Sequence, residues 1–205
     1  MVGATIQPAL LRDDTDRGTW DDVRAGYHRP PPNIHPRTIL DLGCHAGLTL
    51  IDFADRFPPA HIWGVEMDFS NFNTARINAG WMPNVKVIHS GIATWVGYCD
   101  YEGGASNAYR ITGMGPNHRA PVTTIDALMA SEGIAAVDFM KVDIEGMEAQ
   151  VFKQTAMWPY VVQCVKAELH GDYSVDEAQF DLRKLGYTKI EIDSAHPACI
   201  VARRW

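Results

Sequence analysis

Two carboxylates spaced two residues apart, Asp143 and Glu145, follow the apolar run VDFMKV. A second pair of titratable groups, Glu168 and His170, closes the apolar run VVQCVKA. In extended chain a spacing of two puts both members of a pair on one side. Four such groups at strand ends could work as general acid and base. With a divalent cation they could instead act as ligands that acidify a hydroxyl, Asp143, Glu168 and His170 being the metal candidates. The structural alternative makes Asp143 and Glu145 helix-start acids, favoured by the helix dipole, with Glu168 and His170 simply paired. Against it, four titratable groups at one sheet edge are costly unless something satisfies or uses them.

A second constellation lies earlier in the chain. DLGCHAG, Asp41 to Gly47, carries Gly43 and Gly47, which let a backbone turn tightly and approach a ligand beside the free N–H groups of a helix start. Cys44 and His45 sit inside this loop; His45 could face a reaction centre or merely fill space. The three-glycine G-x-G-x-x-G spacing is missing, which weakens a case for NAD or FAD. In GVEMD, Glu66 could accept hydrogen bonds from both hydroxyls of an adenosine ribose, with Met67 beside it and Asp68 as competitor for the role. In HSGIA, Ser90, Gly91 and Ile92 could line an adenine pocket, while His89 is equally readable as a core histidine. Together these features point to an adenosine ligand.

The elements that must position these residues alternate. TILDLGC, HIWGVEMD, NVKVIHS, VDFMKV and YVVQCVKAELH read as strands. GLTLIDFADRF reads as a helix stopped by Pro58 and Pro59. NFNTARINA is a helix capped by Ser70 and closed by a left-handed Gly80, TTIDALMASEG one capped by Thr123 or Thr124 with Asp126 in its first turn, and VDEAQFDLRKL one opened by a Ser174–Glu177 capping box and closed by Gly186. Alternating strands and helices predict a parallel sheet covered on both faces. In such sheets ligands bind outside the carboxyl ends of the strands, where all of the residues above would gather. Between Ile92 and Pro121 the rhythm changes, and TWVGYCDYEGG and NAYRITG predict an inserted antiparallel hairpin with a glycine-rich turn. YTKIEIDS and ACIVARR predict a terminal hairpin. Residues 1–36, closing on RPPPNIHP, read as a cap or lid, with Tyr27 and His28 able to line it, and 37–205 as the main domain. Trp63, Trp81, Trp95 and Trp158 read as core or interface.

Composition narrows the partners. With 205 residues and 46% hydrophobic side chains, the chain suits one domain with a sizeable core. The formal charge of −7 is spread out, and the absence of a basic stripe argues against nucleic acid. Cys44, Cys99, Cys164 and Cys199 are far apart, as expected of reduced structural thiols in a cytoplasmic protein. No apolar window reaches the length needed to cross a bilayer, so no membrane partner is expected; an oligomer is open.

From Thr38 to His170 the chain resembles the FkbM family of S-adenosylmethionine-dependent methyltransferases. DLGCHAGLT, VEMD, AELH and above all the Asp-x-Glu-Gly-x-Glu of FMKVDIEGMEAQVF carry the resemblance. It implies an α/β Rossmann-like class I methyltransferase fold with a mostly parallel seven-stranded sheet and S-adenosylmethionine as methyl donor. It also implies transfer to a hydroxyl of a small molecule such as a sugar, as in natural product biosynthesis. Two departures stand out: Met67 follows the acid where proline is common, and Cys44-His45 replaces small or Asn-like residues. On this reading Gly43 and Gly47 admit the methionine part, Glu66 the ribose and HSGI the adenine, with Asp143 near the methionine amine. Asp143, Glu145, Glu168 or His170 supplies a base or holds a metal. A dinucleotide-dependent oxidoreductase and a non-catalytic adenosine-binding protein are the alternatives.

Overall fold

The computed structural model describes residues 9–103, 108–113, 119–194 and 196–205. Residues 1–8 of the expected cap, residues 104–107 of the expected glycine-rich turn and residue 195 of the terminal turn lie outside them. A seven-stranded sheet forms the centre, in the order β10-β11-β9-β8-β1-β2-β3. Its strands are β1 (Thr38–Leu42), β2 (His61–Glu66), β3 (Val85–His89), β8 (Val137–Val142), β9 (Val162–Glu168), β10 (Lys189–Ile192) and β11 (Cys199–Arg203). All neighbours pair in parallel except β11, which runs antiparallel to both β9 and β10. The terminal hairpin is therefore an inserted one, with the last strand seated between β9 and β10.

Strands buried on both faces need apolar runs rather than alternation, and β1, β8 and β9 supply them. On one side the core gathers Leu40, Val142, Phe152, Trp158 and Leu182. On the other it gathers Ile39, Leu50, Phe53, Ile62 and Phe139. The covering helices are α1 (Asp14–Ala25), α2 (Leu48–Arg56), α3 (Phe69–Asn78), α4 (Ile125–Glu132), α5 (Glu148–Lys153) and α6 (Val175–Lys184). Among the described residues, no helix is long and apolar enough to cross a membrane. All four cysteines are buried and free.

Local chemistry explains the ends. Thr124 caps α4, Gly133 takes the left-handed position behind it, and Ser174 with Glu177 forms the expected capping box of α6. Two expectations change. Asp68, not Ser70, caps α3, its Oδ1 accepting the Asn71 N–H at 2.8 Å. Gly80 is not left-handed; it is needed because a Cβ there would stand 2.7 Å from the Arg76 carbonyl oxygen. The insertion is also larger than a hairpin. β4 (Gly91–Ile92), β5 (Gly97–Glu102), β6 (Arg110–Gly113) and β7 (Arg119–Thr123) make a separate sheet in the order β4-β7-β5-β6. Its β5–β6 pair is the expected antiparallel one. Of the four tryptophans expected in the core or an interface, Trp158 is buried, Trp63 is partly buried against the core, and Trp81 and Trp95 are exposed.

Candidate active site

The carboxyl ends of β1, β2, β8 and β9 open into one cleft, walled on one side by the N-terminal segment and on another by β6. Its first half is built on the DLGCHAG loop. Gly43 has φ +83°, and a Cβ at this position would lie 1.7 Å from the Asp143 carbonyl oxygen, so the β1 and β8 loops meet here as bare backbone. Gly47, with φ +78°, admits the close approach of Ala75 on α3. Beneath the loop lies Lys141, 3% exposed. Its Nζ donates to the Gly43 carbonyl at 2.8 Å and stands 3.2 Å from both Asp41 and Asp143. Burial alone would lower its pKa, but Asp143 and Asp41 outweigh that and raise it, so the cation persists. Asp41 also accepts the Thr49 hydroxyl. It is therefore spent beneath the loop and, like Gly47, does not line the cleft.

Glu66 faces the cleft. Its two oxygens accept the backbone N–H groups of Asp68 at 2.7 Å and His45 at 2.9 Å, which fix its orientation. Burial pushes its pKa up to about 7. Asp68 no longer competes for its role, because its oxygens hold the α3 cap and the Tyr101 hydroxyl. Met67, Ser90, Gly91 and Ile92 line the adjoining wall. His89 does not; it stacks on Phe72 and meets the Met67 carbonyl at 2.9 Å. Cys44 reaches the cleft as backbone only, since its buried Sγ packs over Gly64 of β2. His45, at φ +47°, turns its Nε2 toward Arg12 at 3.1 Å and Asp16 at 3.4 Å. That network was not legible in the sequence: Arg12 pairs with a fully buried Asp16 and reaches Asn71 on α3.

The second half gathers the four residues that end β8 and β9. Asp143 and Glu145 do not stand in extended chain. They lie in the turn between β8 and α5, where Glu145 has φ +52°, and this turn rather than strand alternation brings them to His170. His170 Nε2 stands 3.7 Å from Asp143, 3.7 Å from Glu145 and 3.9 Å from Glu168. Its Nδ1 meets Glu148 at 3.1 Å. Glu148 is fully buried and also accepts the N–H groups of Ile144 and Gly146, so it shapes the turn and orients the imidazole together. This residue, the last acid of the Asp-x-Glu-Gly-x-Glu run, escaped sequence reasoning as a site residue. Burial pulls the His170 pKa down, but Glu148, Glu145 and Asp143 overcome it and hold it at about 9, so the ring is a cation at neutral pH. Burial raises both Glu145 and Glu168.

The N-terminal segment supplies the remaining wall through Thr19, Asp22, Tyr27 and His28. It is anchored by the Arg29–Asp52 ion pair at 2.9 Å, by Asn78 bonding Leu10, and by Tyr27 packing 3.6 Å from the His196 ring. Tyr109, just ahead of β6, and Ile111 within it line the cleft, and Arg110 approaches Glu145 at 3.8 Å.

Comparison with known proteins gives the family and the fold. A sequence profile of the methyltransferase FkbM domain matches residues 55–187, well over half of the chain. The tRNA1(Val) (adenine(37)-N6)-methyltransferase of Vibrio cholerae is 33% identical over 66 residues, 31% of this chain. That match spans only 28% of the Vibrio protein's length. The N-terminal domain of EvdMO1 with SAH bound superposes with a TM-score of 0.52 at 14% identity, over 95% of this chain and 82% of that one. The N-terminal domain of human METTL16 in complex with SAH superposes with a TM-score of 0.50 at 12% identity, over 97% and 73% of the two chains. At these identities the likeness is one of fold.

Proposed function

Because the chain belongs to the FkbM methyltransferase family, we propose that it transfers a methyl group from S-adenosylmethionine to a hydroxyl of an uncharged small molecule, a sugar or natural product. The observation that carries this reading is the division of the cleft into two chemically distinct halves. One half is glycine-rich backbone with a single buried carboxylate, Glu66, whose partners among the described residues are backbone N–H groups. A ribose diol has the two donors that such a group can accept. S-adenosylmethionine supplies the electrophilic methyl group when bound. The other half is lined by Asp143, Glu145, Glu168 and His170, which can accept and donate hydrogen bonds to several hydroxyls at once. Three carboxylates at this edge repel the phosphates of a nucleic acid, which favours the small acceptor over the RNA substrates named for some relatives. Holding donor and acceptor in line is the main catalytic task of such a site.

The direct test supplies tritiated S-adenosylmethionine with a panel of methyl hexopyranosides, and a short tRNA transcript as the competing acceptor. Label in a sugar supports the reading, and label confined to the RNA overturns it. Thermal shift with S-adenosylhomocysteine against NAD separates it from a dinucleotide-dependent oxidoreductase. Binding without any transfer would mark a non-catalytic adenosine-binding protein.

Glu66 gives a pH dependence. Its folded pKa of about 7 lies above that of a free glutamate, so the fold favours the protonated acid at low pH and this preference is lost as pH rises through about 7. The ionised form is the one that accepts both ribose hydroxyls. S-adenosylhomocysteine should therefore bind roughly tenfold more weakly at pH 6 than at pH 8. In Glu66→Gln the affinity, read by calorimetry, should be low and flat over that range.

In this reading His170 neutralises the carboxylates and donates to an acceptor oxygen. His170→Ala and Asp143→Asn should each lower kcat about 10²-fold while leaving S-adenosylhomocysteine affinity within a few-fold for the former. One observation favours a second reading of the same edge: ligand atoms of Asp143, Glu168 and His170 lie within 4.8 Å of one another. Glu148 on the far nitrogen of His170 is the kind of partner that orients a metal-binding imidazole. A divalent cation held there would acidify the substrate hydroxyl. EDTA without effect on turnover supports the imidazolium reading; activity lost to EDTA and restored by Mg²⁺ supports the cation.

A further inference from the structure

We propose that His28, on the N-terminal segment, is the group that takes the proton from the acceptor hydroxyl. This rests on the methyltransferase reading above and adds to it a residue outside the sheet edge.

The groups at the sheet edge are already engaged. Asp143 is held by Lys141 and faces His170, Glu145 stands between His170 and Arg110, and Glu168 takes a hydrogen bond from Tyr27 and also faces His170. His170 itself carries its proton, held by Glu148. His45 also lines the cleft, but its Nε2 is held by Arg12 and Asp16 and it sits on the glycine loop rather than beside the acceptor half. His28 lines the same cleft, and neither of its ring nitrogens makes a hydrogen bond among the described residues. Among the described residues its ring neighbour is Tyr27, edge-on at 4.5 Å between centroids, which leaves the nitrogens available.

The segment holds the ring in place. Gly26 ends α1 in the left-handed conformation, and Arg29 fastens the following turn to Asp52 on α2. Tyr27 is clamped between His196 and Cys199. The charged and titratable groups facing His28 come from three other elements: Lys141 on β8, Lys166 on β9 and His196 ahead of β11. Burial first, and then Lys141 and Lys166, lower its pKa well below the ordinary value, so the ring is neutral at physiological pH. A neutral, unengaged imidazole beside a hydroxyl can accept its proton.

In the step itself the hydroxyl proton passes to a His28 nitrogen while an oxygen electron pair forms the bond to the methyl carbon. The carbon–sulfur bond breaks with its pair retained on sulfur, giving a thioether. The imidazolium then returns its proton to solvent.

The experiment compares wild type with His28→Ala and His28→Gln on the best-methylated sugar of the panel. Both variants should lose about 10²- to 10³-fold in kcat. Their affinity for S-adenosylhomocysteine should stay within twofold and their melting temperature near wild type. In the wild type bound to S-adenosylhomocysteine, the imidazole NMR signal that His28→Gln removes should titrate below the ordinary imidazole range. A His28→Ala kcat within threefold of wild type, or a His28 signal titrating above pH 7, overturns the assignment. Wild-type protein that methylates no sugar overturns the transferase reading and this assignment with it. Transfer by the wild type that survives His28→Ala overturns the assignment alone.

Discussion

Gly43→Ala should abolish S-adenosylhomocysteine binding and destabilise the protein by about 3 kcal/mol or more, a fall of roughly 6–12 °C in Tm for a chain of this size. The new Cβ would stand 1.7 Å from the Asp143 carbonyl oxygen, in a residue that already has φ +83°. Backbone on both sides leaves no flexible side chain to yield. The β1 loop would have to lift away from β8, taking with it the surface that faces the cofactor. Gly146→Ala is the control, because φ there is +104° but nothing lies within 4 Å of the new atom. That variant carries conformational strain alone and should cost about 1–2 kcal/mol with cofactor binding retained. Equal effects from the two, measured by thermal melts and calorimetry, would mean that the close approach of the two loops is not what Gly43 secures.

Lys141→Met should cost about 3–5 kcal/mol, the penalty for removing one partner of a buried ion pair and leaving the other behind. Asp41 is fully buried, its side-chain partners among the described residues are Thr49 and Lys141, and burial already raises its pKa in spite of the lysine. The loss should therefore be largest at neutral and alkaline pH, where an uncompensated Asp41 is charged. It should shrink as the pH falls and that group protonates. Lys141→Met combined with Asp41→Asn should recover much of the stability. It should not recover cofactor affinity, since the Gly43 carbonyl would still lack its donor. Chemical denaturation across pH 5 to 8 reads the first effect, and calorimetry reads the second.

What the sequence made legible were features that act over a few residues. Glycines that must adopt a left-handed turn, apolar runs that must be covered on both faces, and acids at strand ends all follow from local geometry. A parallel sheet with Asp143, Glu145, Glu168 and His170 at its carboxyl edge was expected from them; the strand order, with β11 seated between β9 and β10, was not. The small sheet was only half visible, because β4 is two residues long and pairs with β7 across some thirty positions. The α3 cap went to Asp68 rather than Ser70 because Tyr101, on that distant sheet, also holds the Asp68 carboxylate. Lys141, Glu148 and the Arg12–Asp16 pair were missed for a common reason. A charged residue inside an apolar run, or at the start of a polar segment, acquires a role only from partners brought to it by the fold. For Arg12 and Asn71 those partners are 59 positions apart.

The contact of Tyr27, on the N-terminal wall of the cleft, with Cys199 at the start of β11 joins positions 172 residues apart. On the ribosome, β1, β2 and the glycine loop emerge long before β11 does. A nascent chain could thus assemble the half of the site proposed for the cofactor while the wall carrying His28, already held by Asp52 and Asn78, still lacks the contacts of Tyr27 with His196 and Cys199. Closure of the acceptor side would be among the last events of synthesis, and a chain stalled before β11 should bind the nucleoside end of the cofactor yet remain silent as an enzyme.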